Sequence, residues 1–119
     1  MPEVATPLVG HDFSWHDGVL VDLQFKDFGG NQPELRLTLD LYPDTDPQSA
    51  RRRYLCIGSG VVRVFMKGDL PKLAGRVEEG NIDWMRMDFT QTTEIVILLL
   101  FGGYMEIEAA AFTLAELNS

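Results

Sequence analysis

The chain has 119 residues, 45% of them hydrophobic and 24% charged, which suits one folded domain over residues 1–119 and excludes a disordered class. Its net charge of −8 repels phosphates, which excludes nucleic acid and anionic membrane as partners and favours a basic protein. The lone cysteine, Cys56, excludes an internal disulfide. The longest apolar run, "IVILLLF" at 95–101, is far short of the roughly 20 residues of a membrane-spanning helix.

The opening "MPEVATPLVGHD" has no basic residue and no apolar run, so it does not read as a secretory signal; with one free thiol, the expected compartment is cytoplasmic. Pro2 and Pro7 speak against helix, and residues 1–11 read as an extended leader. Alternation starts at "GVLVDLQFKDF", with Val19, Val21, Leu23 and Phe25 on one face of a half-buried strand. "PELRLTLDLYP" repeats the pattern with Leu35, Leu37, Leu39 and Leu41, and "DFGGNQP" between the two is a turn-forming cluster. The expected hairpin pairs Phe25 with Leu35, Leu23 with Leu37, Val21 with Leu39 and Val19 with Leu41, and sets Lys26 against Glu34 as an opposite-charge pair.

"PDTDPQSA" at 43–50 is a loop. "RRRYLCI" and "VVRVFM" read as two strands, joined or bent at "GSG", residues 58–60. "KGDLPKLAGRVEEGN" has the one helical flavour in the chain, limited to about a turn by Pro71 and its glycines. "IDWMRMDF" then alternates Met85, Met87 and Phe89 against Trp84, Arg86 and Asp88. "TEIVILLLF", apolar on both faces, reads as a central strand covered on both sides. A turn at Gly102-Gly103 leads into "YMEIEAAAF" and sets Glu106 opposite Leu99 and Glu108 opposite Ile97. About seven strands with at most one short helix predict an all-β fold: an antiparallel sandwich, or a strongly curved sheet forming a partly open barrel.

The densest cluster of chemistry-bearing residues is "HDFSWHDG" at 11–18. His11 and His16 point to opposite faces of a strand, and on a helix stand about 140° apart, so only a loop brings them together. Metal sites converge three or more ligands, and the chain has these two histidines only. His16, Asp17 and Asp12 are the residues a metal would use. The structural reading has Trp15 in the core, His16 or Asp17 bonded to backbone, and Gly18 letting the chain turn; no metal or cofactor is assigned.

Cys56 lies in an alternating strand with no helix N-terminus nearby, which suits a buried apolar thiol better than a nucleophile. Arg51-Arg52-Arg53 reads as a solvated strand start or as salt links to acids on a neighbouring strand, and "GSG" lacks the lysine and helix of a phosphate loop. Glu106 and Glu108 beside an apolar strand are either desolvated acids with raised pKa values or rim acids met by Arg86 or Arg63.

"FSWHDGVLVDLQF" with Trp15, His16 and Asp17, the alternating strands in the middle, and "ILLLFGGYMEIEAAAF" at the close resemble a group of small bacterial β-rich proteins, some of them immunity proteins of toxin systems. That resemblance implies a binder that covers a toxin. It carries over no catalytic residue. The leading expectation is therefore a non-catalytic protein-interaction module. Asp44 and Asp46 in the loop, and Glu78 and Glu79 before "GN", are its candidate contacts with a basic protein. The alternatives are a small-ligand or metal-dependent β-barrel enzyme using His16, Asp17 and Glu106, and a protein whose edge strands pair into a homodimer.

Overall fold

The structure is a computed structural model; it describes residues 6–9, 13–43, 50–76 and 78–117, with Phe13, Ser14 and Pro43 described by their backbone alone. The elements are β1 (Thr6–Pro7), β2 (Phe13–Lys26), β3 (Glu34–Pro43), β4 (Arg52–Gly68), α1 (Leu70–Ala74), β5 (Ile82–Phe89), β6 (Glu94–Leu100) and β7 (Gly103–Glu116). The strands form one antiparallel sheet in the order β2-β3-β4-β7-β6-β5, with β1 added to β7. The sheet is strongly curled into a half-barrel, so of the two predicted architectures the partly open barrel holds and the sandwich does not. Among the described residues no helix is long and apolar enough to cross a membrane.

The alternation written in the sequence lines the inside of the curl. Leu35, Leu37, Leu39 and Leu41 of β3 meet Tyr54 and Cys56 of β4, Val96, Leu98 and Leu100 of β6, and Met105, Ile107, Phe112 and Leu114 of β7, all buried in one core. Burying a leucine, valine or phenylalanine side chain is worth about 1.5–3 kcal/mol each, so this lining is the main drive to curl the sheet on itself. The leader contributes as well. Thr6 and Pro7 pair with Leu114 and Thr113, and Leu8 is buried in the core with its N–H bonded to the Phe112 carbonyl at 3.0 Å.

Four expectations need correction. First, the β2–β3 hairpin keeps the predicted register at Leu23–Leu37, Phe25–Leu35 and Lys26–Glu34, but a bulge at Val21 shifts the rest, so that Leu20 meets Leu39 and Val19 meets Asp40. A second irregularity lies between Ser14 and Val19. An extra residue flips the faces, and Val21 is accordingly 43% exposed. Second, Lys26 stands opposite Glu34 without an ion pair, because Glu34 is bound by Arg36 of its own strand at 2.6 Å. Third, "RRRYLCI" and "VVRVFM" are one long strand, bent where Gly60 takes φ +65° and the register slips between Val61 and Arg63. Fourth, the last hairpin turns on Phe101-Gly102, with Gly102 at φ +112°, so Glu106 pairs with Ile97 and Glu108 with Ile95. That slip is two residues, which leaves every side chain on its predicted face.

The β6 strand is central, as expected, between β5 and β7. Its outward face has no second sheet over it. Ile97 is buried between the neighbouring strands, while Ile95 and Leu99 are half-buried. The helix is the single turn predicted: Asp69 caps it by accepting from the Lys72 N–H at 3.1 Å, Pro71 sits in its first turn, and Gly75 ends it.

The direction of each backbone group along β2 follows from one bond. The Leu117 N–H donates to the Arg53 carbonyl at 2.8 Å, so Arg53 faces β7. Alternation then turns Tyr54 and Cys56 towards β3, Arg36 and Thr38 towards β2, and Gln24 towards β3. The N–H and C=O groups of Leu20, Leu23 and Phe25 consequently point out of the sheet. Leu20 bears this out, since Asn81 takes both of its outward groups.

Candidate functional site

The motif "WHDG" lies where the curl closes. Trp15 is 7% exposed and packs in the core, as expected. His16 Nδ1 donates to the Asp83 carbonyl of β5 at 2.8 Å, and its ring lies 6.4 Å from that of Phe101. Asp17, not Gly18, makes the turn: it has φ 64°, and its carbonyl accepts from Arg51 Nε at 3.1 Å. Gly18 serves close approach instead, because a Cβ there would stand 2.7 Å from a Leu41 methyl. Arg51 also donates to the Glu78 carbonyl at 2.9 Å, and Arg76 donates to the Gly80 carbonyl at 3.1 Å while covering the Phe101 ring at 4.1 Å. Arginine and histidine are thus spent on carbonyl groups of β2, of β5 and of the turn before β5, and His16 and Arg51 latch β2 to that turn and strand.

This geometry does not suit a metal. The Asp83 carboxylate lies 3.6 Å from Nδ1 of His16, and the Asp17 carboxylate 3.5 Å from Nε2. The two acids therefore face opposite edges of the imidazole rather than one point. Among the described residues no three His, Cys, Asp or Glu side chains are placed to hold an ion. His11, Asp12, Asp44 and Asp46 lie outside the described residues. Glu78 and Glu79 are exposed in the turn between α1 and β5, where Glu78 contributes its carbonyl to the latch. Glu106 is not brought to His16; it stands on β7, on the face turned away from the core.

That outward face is the second cluster. Register sets Trp84, Leu99, Tyr104 and Lys67 in one row across four strands, Arg86, Ile97, Glu106 and Phe65 in the next, and Asp88, Ile95, Glu108 and Arg63 in the third. Arg63 bridges Glu106 and Glu108, the latter at 3.3 Å. Tyr104 donates to Glu106 at 2.7 Å, and Thr93 to Glu108 at 2.8 Å. The Tyr104 hydroxyl and then the Arg63 guanidinium hold the Glu106 carboxyl below its ordinary value, so the raised pKa weighed for it does not occur and the rim acid met by Arg63 does. The Phe65 and Tyr104 rings meet edge to face at 6.0 Å, and Arg86 lies over the Trp84 ring at 5.9 Å.

Burial alone pushes the Cys56 thiol up to about 12, which makes it inert as a nucleophile at neutral pH. The arginine run is structural: Arg53 grips Asp40 with two bonds of 2.9 and 3.0 Å, Arg52 lies 3.7 Å from Glu116, and Arg51 stacks on Tyr42 at 5.2 Å.

Two further features were not read from the sequence. One is a cleft of about 570 Å³ around the outer edge of β2, lined chiefly by Leu20, Val21, Leu23, Leu70, Leu73 and Met66. The other is Asn81, whose buried amide joins β2 to the turn before β5. Both depend on β2 lying next to α1 and the turn that follows it, residues far apart in the chain. Compared with protein-family models, with curated proteins and with solved structures, the chain matches none.

Proposed function

We propose that this chain is a non-catalytic protein-interaction module whose contact face is the side of β4, β5, β6 and β7 turned away from the core. The observation that carries this reading is a contrast within one sheet. The outward positions of β3 are Glu34, Arg36, Thr38 and Asp40, half-buried but polar or charged throughout. The outward positions of β6 are Ile95, Ile97 and Leu99, flanked by Trp84 at 39% and Phe65 at 54% exposure. An apolar centre with aromatic residues, framed by arginines and acids, is the composition of a binding surface.

The use of the polar groups supports the non-catalytic part. His16 and Arg51 hold backbone carbonyls, one of them that of Asp17; Cys56 is buried, and Glu106 is held ionised between Tyr104 and Arg63. The face carries both signs of charge, so specificity there rests on shape and aromatic contact. The net charge of −8 acts at longer range and steers a basic partner, with Glu78 and Glu79 among the exposed acids that contribute. A basic toxin is the partner class that the resemblance to immunity proteins names.

The test is capture from a lysate of the source organism by the tagged chain and by a Phe65→Ser, Trp84→Ser double variant, washed at low and at high salt. A basic protein retained at low salt by the parent chain, and lost by the variant, is the expected result. The same proteins on both chains, or none on either, overturns the assignment of this face.

A further inference from the structure

We propose that the free edge of β2 is a self-recognition surface: two copies of the chain join β2 to β2 antiparallel about Gln24, merging their sheets. Three observations converge on it.

The first is the backbone. Leu23 and Phe25 turn their N–H and C=O groups out of the sheet, and no described residue bonds them. A two-fold axis at Gln24 places Leu23 of one copy opposite Phe25 of the other, twice. Both residues face outward, so each pair exchanges two hydrogen bonds and all four groups on each copy find partners.

The second is charge. The same axis sets Asp22 opposite Lys26 of the second copy, again twice. Both side chains are exposed, and neither has an ion-pair partner among the described residues. Glu34, the acid that register offers Lys26 within the chain, is taken by Arg36. Moving the axis to Leu23 puts Asp22 against Gln24, and moving it to Phe25 puts Lys26 against Gln24; only the Gln24 axis satisfies both charges. Charges on an edge strand ordinarily prevent indiscriminate pairing. Here they permit one register.

The third is apolar surface beside the strand. Phe25 is 40% exposed and Phe28, just past the strand end, 74%. Phe28 packs edge to face on Phe25 at 5.1 Å, and in this register that end of the second copy lies beside Leu23, next to the cleft of about 570 Å³ that Leu70 and Leu73 also line. Leu70 is itself 75% exposed. Asp27, at φ 53°, ends the strand, so the pairing is short and closed by its two-fold axis rather than open to fibres.

The test is sedimentation velocity of the full chain over a concentration series, with charge variants and a cross-link. The parent chain is expected to show a monomer–dimer equilibrium. Lys26→Asp sets acid against acid at both ends and is expected to raise the dissociation constant about ten-fold or more, and Asp22→Lys with Lys26→Asp to restore it. Gln24 meets its own copy at a non-hydrogen-bonded position, where the Cα atoms lie about 4.5 Å apart. Gln24→Cys should therefore form an intermolecular disulfide under mild oxidation, and the buried Cys56 should not compete. A parent chain that stays monomeric and a Gln24→Cys chain that does not cross-link overturn the proposal. So does a dimer that Lys26→Asp leaves intact. A heterologous partner strand captured at this edge by a monomeric chain also overturns it.

Discussion

Asn81 stands in for a missing strand beside Leu20. Its Oδ1 accepts from the Leu20 N–H at 2.8 Å and its Nδ2 donates to the Leu20 carbonyl at 3.4 Å, while the same amide reaches the Leu73 carbonyl at 3.4 Å. Its own carbonyl accepts from the Phe101 N–H at 2.9 Å. The buried amide thereby ties β2 to α1, and the backbone of the same residue adds the last hairpin. Asn81→Ala leaves outward groups of Leu20 unpaired in a partly buried place and should cost about 2–3 kcal/mol. Urea unfolding checks the magnitude, and faster hydrogen exchange at the Leu20 amide checks the cause.

Gly80 permits the other half of that closure. A Cβ at this position would stand 2.3–2.5 Å from the Asp17 backbone, and its φ of +107° is one that side chains rarely adopt. Gly80→Ala should therefore destabilise the fold by about 2–4 kcal/mol, through both a clash and backbone strain. Gly29, with nothing within 4 Å of its added Cβ, is the control. Gly29→Ala should change stability by less than about 0.5 kcal/mol in the same unfolding experiment.

Cys56 gives a pH dependence whose sign is fixed. In the unfolded chain its thiol ionises near its ordinary value, about 8.5; in the folded chain burial pushes it up to about 12. The unfolded state therefore loses this proton first. The contribution of the buried thiol is complete at neutral pH and is lost as pH rises from the unfolded value towards the folded one. Thermal melts from neutral to alkaline pH should show the melting temperature of Cys56→Ala falling less steeply than that of the parent. A thiol-specific disulfide reagent at neutral pH should label the parent only as fast as it unfolds.

Glu106 gives the opposite dependence. Tyr104 and Arg63 hold its carboxyl below the ordinary carboxylate value, so its contribution is present above that value and lost as pH falls through the lowered one. Tyr104→Phe removes the first of these partners. The Glu106 carboxyl, followed by carbon-detected NMR titration, should then ionise at a higher pH than in the parent, and neutral-pH stability should change little because the site is exposed.

Alternation was enough to place the core-facing residues of β3, Met85 and Met87 of β5, and β7 from Met105 to Ala109, because a period of two leaves one face for apolar side chains and one for polar groups; past Ala109 the buried positions of β7 move to Phe112 and Leu114, and Phe89 is exposed. The apolar run of β6 likewise marked it as central. The reading of "WHDG" as structural rested on the same economy: too few ligands for a metal, and residues suited to bonding backbone.

What the sequence by itself determined is the all-β class, the faces of most strands, an upper limit of about one turn on any helix, and the half of the β2–β3 register next to the turn. What only the tertiary structure decided is where the pattern breaks and what the curl brings together. The Val21 bulge, the unbroken β4 and the Phe101-Gly102 turn depend on local backbone twist, to which hydrophobic alternation is blind. The Asn81–Leu20 clasp, the His16–Asp83 contact and the aromatic rows of the outward face join residues up to 67 positions apart or on different strands. Their meeting is set by strand order, and strand order is chosen by burial of the whole core rather than by any segment within it.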